Sequence, residues 1–357
     1  MSGSHRIIDC HVHLRSVEFC DRMVAVADLC GIERIGIVCT INRESVNANA
    51  AALACKAKYP DRIYAMLGLD HSARLSDGKK KTPSLADQVE IYRDLGADGL
   101  KMIEGKPTTR KYLDVPVDDP YFAGYFAKLE ETQFPVVWHV NDPEEFWDPE
   151  KLPDWAAERN WGYDDTDVQK EAQYAEVERV LEKHPGLNLV FAHFYFLSAD
   201  LPRAAAVFDK YPRVHFDLAP GIEMLYNTAD NVDETREFFI KYADRIVFGT
   251  DLSSGQTDPQ ARHRAGIVYK WLESGEEFRV TEDADFLLGK PEDGRMCGMA
   301  LPEDVLKSIY WENFERIVGG APKTLDKKKA AEECRRVAAI AEKPDEANAA
   351  SGVLEAD

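Results

Sequence analysis

The eight residues Ile7–Leu14, IIDCHVHL, decide the reading of this chain. Ile7, Ile8, Cys10, Val12 and Leu14 suit a pleated, buried surface. Side chains two positions apart on a strand share a face. Strict alternation therefore predicts Asp9, His11 and His13 on one face and Ile8, Cys10, Val12 and Leu14 on the other. A buried polar face is costly, roughly 1–3 kcal/mol for each group left without a partner. Two imidazoles aimed at one point suggest a metal ion as that partner. Backbone carbonyls that satisfy both rings are the alternative, and these residues alone leave it open.

Working outward, eight short β-branched or aromatic runs punctuate the chain: 6–14, 34–42, 62–70, 98–105, 134–141, 188–196, 214–222 and 245–253. Amphipathic segments lie between them and carry helix start and stop signals. Ser84 precedes SLADQVEIYRDLG, Pro120 opens PYFAGYFAKLEETQ, and Gly31, Pro60 and Gly96 follow helical runs. Strands alternating with helices predict parallel βα units. Eight units over roughly 250 residues predict a (β/α)8 TIM barrel. An open doubly wound sheet is the alternative, but no G-x-G-x-x-G follows any strand.

One barrel domain is expected over 1–325, with two additions. Residues 142–168, acidic and rich in Trp, form a long insertion after the fifth strand, of the kind that serves as a lid or binding loop. Residues 255–308 form an extension after the eighth. For 326–357 the expectation is a helix followed by a frayed acidic tail.

The 357 residues include 44 Lys and Arg against 64 Asp and Glu, a net charge of −20. That balance argues against sequence-independent binding to nucleic acid and against docking on an anionic membrane. No apolar run approaches the ~18 residues of a membrane span. The seven cysteines are odd in number and form no C-x-x-C, which reads as reduced core thiols. Nothing in the opening MSGSHR resembles an export signal. The expectation is a cytoplasmic protein with a small-molecule substrate, self-association being left open.

In such barrels chemistry sits at the C-terminal ends of the strands. Strand one ends with His11 and His13, strand four carries Lys101, strand five His139, strand six His193 and strand eight Asp251. Neutral imidazoles and one carboxylate suit zinc, with manganese, cobalt and iron also accepted. His11, His13 and His139 would supply nitrogens and Asp251 an oxygen. Asp251 is also suited to take a proton from an activated water, and His193 to orient that water or polarise a substrate oxygen.

The stretches IIDCHVHL, VVWHVNDPEEF, LVFAHF and RIVFGTD resemble the amidohydrolase superfamily, most closely its amidohydrolase-related branch. That branch holds metal-dependent hydrolases and the decarboxylases related to aminocarboxymuconate semialdehyde decarboxylase. The resemblance spans roughly 6–320 and includes YWENFERIVG, similar to the branch's closing helix. It implies one divalent ion on His11, His13, His139 and Asp251, with His193 close by. Lys101 has two readings. Carbamylated, it would bridge a second ion; otherwise it meets an anionic group of the substrate.

Other residues have paired readings. Asp9 is expected to orient its neighbours rather than ligate. Arg15, past His13, holds a substrate carboxylate or stays solvated. Asn141 shares the face of His139. Phe194, Tyr195 and Phe196 wall an aromatic substrate, although alternation sends at least one of them to the core. Glu223 contacts substrate or caps a helix. His71 reads as a loop histidine and His215 as structural. Trp147, Trp155 and Trp161 pack the insertion on itself or cage a substrate. Three functions follow. The first is hydrolysis of an amide, ester or lactone by metal-activated water. The second is non-oxidative decarboxylation of an aromatic or unsaturated acid, and the third a non-catalytic metal-binding scaffold.

Overall fold

The computed structural model describes residues 6–221, 223–280 and 294–356. Ile222, the last residue of the seventh expected strand, and part of the 255–308 extension lie outside the described residues. Each apolar run forms a strand of one parallel sheet: β1 (Ile8–His13), β2 (Arg34–Val38), β3 (Ile63–Gly68), β4 (Gly99–Gly105), β5 (Val136–Val140), β6 (Leu189–Phe191), β7 (Val214–Asp217), β8 (Ile246–Val247) and β9 (Leu252–Ser253). The order is β8-β7-β6-β5-β4-β3-β2-β1-β9. β8 and β9 are two pieces of the expected eighth strand, parted by residues 248–251. That break is bonded to β1, because the Cys10 N–H donates to the Phe248 carbonyl (3.0 Å) and the Asp251 N–H to the His11 carbonyl (2.9 Å). The sheet thus returns to the strand on which it began, as an α/β TIM-type fold.

Eight helices alternate with the strands: α1 (Cys20–Leu29), α2 (Asn49–Lys58), α3 (Leu85–Asp94), α4 (Pro120–Thr132), α5 (Lys170–Lys183), α6 (Leu201–Lys210), α7 (Val232–Lys241) and α8 (Asp258–Glu273). Their starts follow the signals in the sequence. Ser84 accepts the Asp87 N–H ahead of α3, and Thr257 with Gln260 forms a capping box ahead of α8. Among the described residues no helix is long and apolar enough to cross a membrane. All seven cysteines are free.

Two cores result. The larger packs the outer face of the strands against the helices. The smaller fills the barrel interior with Ile8, Cys10, Tyr64, Met66, Val137, Val190 and Val247, and is plugged from below by Phe314 and Ile317. The Phe314 ring meets Tyr64 edge-on at 4.9 Å. Asn313 anchors this plug by donating to the Ala243 and Ile246 carbonyls, both at 2.7 Å.

Three departures from the sequence reading matter. First, alternation along β1 is not strict: its register against β2 shifts between Asp9 and Val12. Ile8 and Cys10 join the interior core, whereas Val12 and Leu14 join the outer one. A bulge of this kind re-aims side chains, and here it lets His11 follow Cys10 into the barrel. Second, β6 stops at Phe191, and His193, Phe194, Tyr195 and Phe196 all have left-handed backbone, with φ between 50° and 57°. Third, the expected frayed tail is largely helix. Helix α9 (Lys327–Ala338) is followed by α10 (Asp345–Glu355). Ala347, Ala350 and Leu354 form a small apolar stripe at helical spacing, buried against the body, and Glu346 accepts the Val17 N–H at 2.6 Å. The polar composition masked that stripe.

Candidate active site

A cavity of about 550 Å³ opens at the C-terminal ends of the strands. His11, His13, Lys101, His139, His193 and Asp251 line its floor. Arg15, Gly255 and Gln256 stand at its edge. Phe146, Trp155 and Trp161 of the insertion, together with Phe196, form an aromatic wall.

The two pieces of the eighth strand set the position of Asp251. Its φ of 58° is left-handed, and this sharp turn carries the carboxylate to the strand-one histidines. Asp251 Oδ1 lies 3.0 Å from His13 Nε2 and 3.9 Å from His11 Nε2. One ligand atom from each of His11, His13 and Asp251 lies within 4.8 Å of the other two. His11 Nδ1 is 2.8 Å from Asp217 Oδ2, while Asp217 Oδ1 accepts the N–H groups of His193 and Ala219. Donation to that carboxylate leaves the lone pair of His11 on Nε2, toward the cavity. Burial, with Lys101 beside it, keeps His11 neutral at pH 7. Burial opposes the charged form of Asp251, but the hydrogen bond with His13 and the charge of Arg264 outweigh it and hold the carboxyl well below its usual range. The neutral His11 ring and the ionised Asp251 carboxylate are therefore in the forms that a divalent ion requires.

His193 lies against the same group, with its ring 5.1 Å from that of His11. Its Nδ1 is 2.9 Å from the Ala219 carbonyl, so Nδ1 donates and Nε2 carries the lone pair. His139 lines the cavity, but its Nε2 is turned to the Asn141 carbonyl (2.9 Å) and to Asp142 (3.2 Å). Three of the four expected ligands are thus brought together, and His139 is held apart by its own loop. Lys101 Nζ lies 3.3 Å from His11 Nε2, and burial pulls its ammonium down to about 8.

Arg15 occupies space that only glycine provides. A Cβ on Gly255 would fall 2.2 Å from Arg15 Cζ. Asp9 accepts from the His11 and Thr250 N–H groups and points away from the cavity, as expected of an orienting group.

Three expected substrate contacts are placed elsewhere. Tyr195 stacks on Phe191 at 4.1 Å in the outer core, because the left-handed turn sends Phe196, not Tyr195, toward the cavity. Asn141 is fully buried, with its Nδ2 donating to the Lys170 carbonyl at 3.3 Å. Glu223 lines a neighbouring cavity of about 590 Å³ that shares Phe196 with the first. Among the described residues its carboxyl has no hydrogen-bond partner in another residue, and burial pushes it up to about 8. It precedes the turn Met224–Asn227 without capping it. Outside the cavity, His71 pairs with Glu104 (2.7 Å) and Tyr121 (2.8 Å), and His215 is 3.1 Å from the Leu189 carbonyl.

The insertion both packs on itself and faces the cavity. Trp155 meets Trp161 edge-on at 6.0 Å. Tyr163 donates to Asp142, and Lys106 reaches both Asp142 oxygens at 2.6 Å while lying 4.6 Å from the Trp161 ring centroid. Trp147 faces the neighbouring cavity.

Sequence reasoning did not single out Asp217, Asp142, Lys106 or Arg264. Asp217 was within reach: it ends the apolar run VHFD, as His193 and Asp251 end theirs. Arg264 sits mid-helix and carries no local signal.

The sequence profile of the amidohydrolase family matches residues 8–320. No curated protein matches the sequence significantly. Among solved structures, 2,6-dihydroxybenzoate decarboxylase from Rhizobium superposes with a TM-score of 0.51 at 14% identity, over 88% of this chain and 98% of that one. A 5-carboxyvanillate decarboxylase from Novosphingobium aromaticivorans, complexed with manganese and 4-hydroxy-3-methoxy-5-nitrobenzoic acid, gives 0.50 at 13% identity, over 89% and 97%. A protein from Acinetobacter baumannii described as a probable 2-pyrone-4,6-dicarboxylic acid hydrolase, with citric acid bound, gives 0.50 at 13%, over 88% and 100%. At such identities the likeness is one of fold. The profile match covers most of the chain and starts on β1, and the chain belongs to the amidohydrolase family.

Proposed function

We propose that this protein is a metal-dependent hydrolase that cleaves a C–O or C–N bond of a small carboxylate-bearing substrate such as a lactone or an amide. The observation that carries this reading is the convergence of His11, His13 and Asp251, with His11 Nε2 presented by Asp217. His11, His13 and Asp251 would hold a divalent ion, zinc or manganese by donor chemistry, which would supply Lewis acidity to a water and to a substrate carbonyl. The chain's own residues do the rest. Asp251 Oδ1 is placed to take a proton and return it to the leaving oxygen or nitrogen. His193 Nε2 accepts a hydrogen bond from the attacking water and orients it. Arg15 meets the substrate carboxylate at the mouth. Phe146, Trp155, Trp161 and Phe196 grip a flat substrate and exclude bulk water.

A second reading is favoured by Lys101. A cation 3.3 Å from His11 Nε2, beneath aromatic walls, suits an aromatic acid bound through its oxygens. The reaction would then be decarboxylation: the bond from ring carbon to carboxylate breaks, carbon dioxide leaves, and Asp251 relays a proton taken from solvent to the carbon. The two solved decarboxylases above share the fold that this reading needs.

The test begins with metal content, measured on wild type and on His11→Ala. About one equivalent of metal in wild type, lost in the variant, supports the site. Two equivalents make Lys101 a carbamylated bridge, and none, even after metal is added back, sinks both readings. The loaded protein is then given lactones, amides and aromatic acids. Ring opening or amide cleavage supports the first reading and carbon dioxide release the second. Full metal without any turnover supports a binding scaffold.

A further inference from the structure

We infer that Arg264 is a positioning residue that sets the Asp251 carboxylate against His11 and His13. The inference rests on the metal reading above and adds to it a group on helix α8 that touches neither substrate nor ion.

Arg264 is fully buried, although its side chain ends in a guanidinium. Burying that cation is costly unless its donors are matched. The rest of the same helix face is apolar: Ala261, Ala265, Val268 and Leu272 are buried beside it. An apolar side chain would serve packing alone, so the cation needs another reason.

Its bonds supply one. Nε donates to the Thr250 carbonyl (2.7 Å), and Nη2 donates to Asp251 Oδ2 (3.0 Å). These acceptors belong to consecutive residues, and they bracket the peptide that leads into the left-handed Asp251. A non-glycine residue in that region is disfavoured and persists only when its surroundings fix it. Thr250 is fixed from the other side, since its N–H and its hydroxyl both donate to Asp9. With Oδ2 engaged by Arg264, Oδ1 is the oxygen left to face His13 at 3.0 Å. The planar fork of arginine can hold a carbonyl and a carboxylate in one geometry; a lysine ammonium has no such fixed geometry.

The test uses full-length protein with Arg264→Gln and Arg264→Lys, the second keeping the cation should the first fail to fold. Metal affinity is read by chelator competition, and ligand geometry by the visible spectrum of cobalt-loaded protein. Loss of such an outer hydrogen bond typically weakens metal binding about 10–100-fold. That loss is expected in Arg264→Gln with an altered cobalt spectrum, and a smaller one in Arg264→Lys, which partly rescues. Wild type that takes up no metal overturns the metal reading and this inference with it. Wild type that binds metal, with either folded variant binding as tightly and giving an unchanged spectrum, overturns the positioning role alone.

Discussion

The two ends of the barrel interior are built by the same strands to opposite ends. At the bottom, Ile8, Tyr64, Val137 and Val190 close around Phe314 by apolar contact, and only the Tyr64 hydroxyl seeks a polar partner, the Gly319 carbonyl. At the mouth, His11, His139 and His193 continue β1, β5 and β6, and each ring is held by a group beyond its strand position. Those groups are Asp217, the Asn141 carbonyl and the Ala219 carbonyl respectively. The comparison teaches that alternation suffices to build a core but not a site. A polar end needs partners from elsewhere, and in this chain they come through backbone irregularities: the β1 bulge, the left-handed turn after β6, and the broken eighth strand.

The widest separation of the two ends should come from removing one residue at each. His11→Ala is expected to abolish metal binding and lower activity about 10³-fold or more, given the several kcal/mol that metal activation supplies, with a smaller loss of stability than a core cavity brings, from the Asp217 carboxylate left without its imidazole. Phe314→Ala should do the reverse. It should destabilise by about 3–5 kcal/mol in urea unfolding, while the folded protein keeps its metal. If Phe314→Ala also loses the metal, the two ends are not independent.

Asp217→Asn sharpens the claim that partners make the mouth. It keeps the shape, but with its oxygen held by the His193 and Ala219 N–H groups it turns an amide donor toward His11 Nδ1, and metal affinity should fall about 10–100-fold. An unchanged affinity would mean that β1 alone orients the ring. Gly255→Ala is a milder intrusion. Its Cβ would lie 2.2 Å from Arg15 Cζ, so the guanidinium must move. KM should rise about tenfold, the scale of one displaced charged hydrogen bond, with kcat little changed. Equal effects on both constants would place Arg15 in the chemistry instead.

A separate effect concerns Glu223, which belongs to neither end. Its carboxyl is raised by burial from 4.5 to about 8. The folded protein therefore holds a proton that the unfolded chain releases above about pH 4.5. This contribution to stability is present below that pH and is lost as pH rises toward 8. Glu223→Gln should flatten that part of the stability–pH profile, read as urea midpoints between pH 5 and 8. A profile of unchanged slope would mean that water or a rotated side chain already satisfies the carboxyl.

The barrel was legible because each apolar run and each amphipathic run was long enough to carry its period. His11, His13, His193 and Asp251 were legible because a polar residue ending an apolar strand is conspicuous. What stayed hidden depends on backbone twists that no period reports. Alternation placed Tyr195 as a candidate for the cavity, but four successive left-handed residues turn it to the core and put Phe196 there. Alternation also put Asp9 on the face of His11, and the bulge parts them. Arg264 and Lys106 act through acceptors distant in sequence or set by the fold. The helix α10 was obscured because alanine contributes burial without looking hydrophobic.

The aromatic wall has an optical consequence. Of six tryptophans, Trp155 and Trp161 alone line the cavity, and Lys106 lies over the Trp161 ring. Any ligand that enters meets two indoles, so its arrival should quench or shift their ultraviolet emission. Trp138 and Trp271, fully buried elsewhere, supply a constant background. The protein carries its own label, and candidate substrates can be sorted by fluorescence titration before any reaction is known.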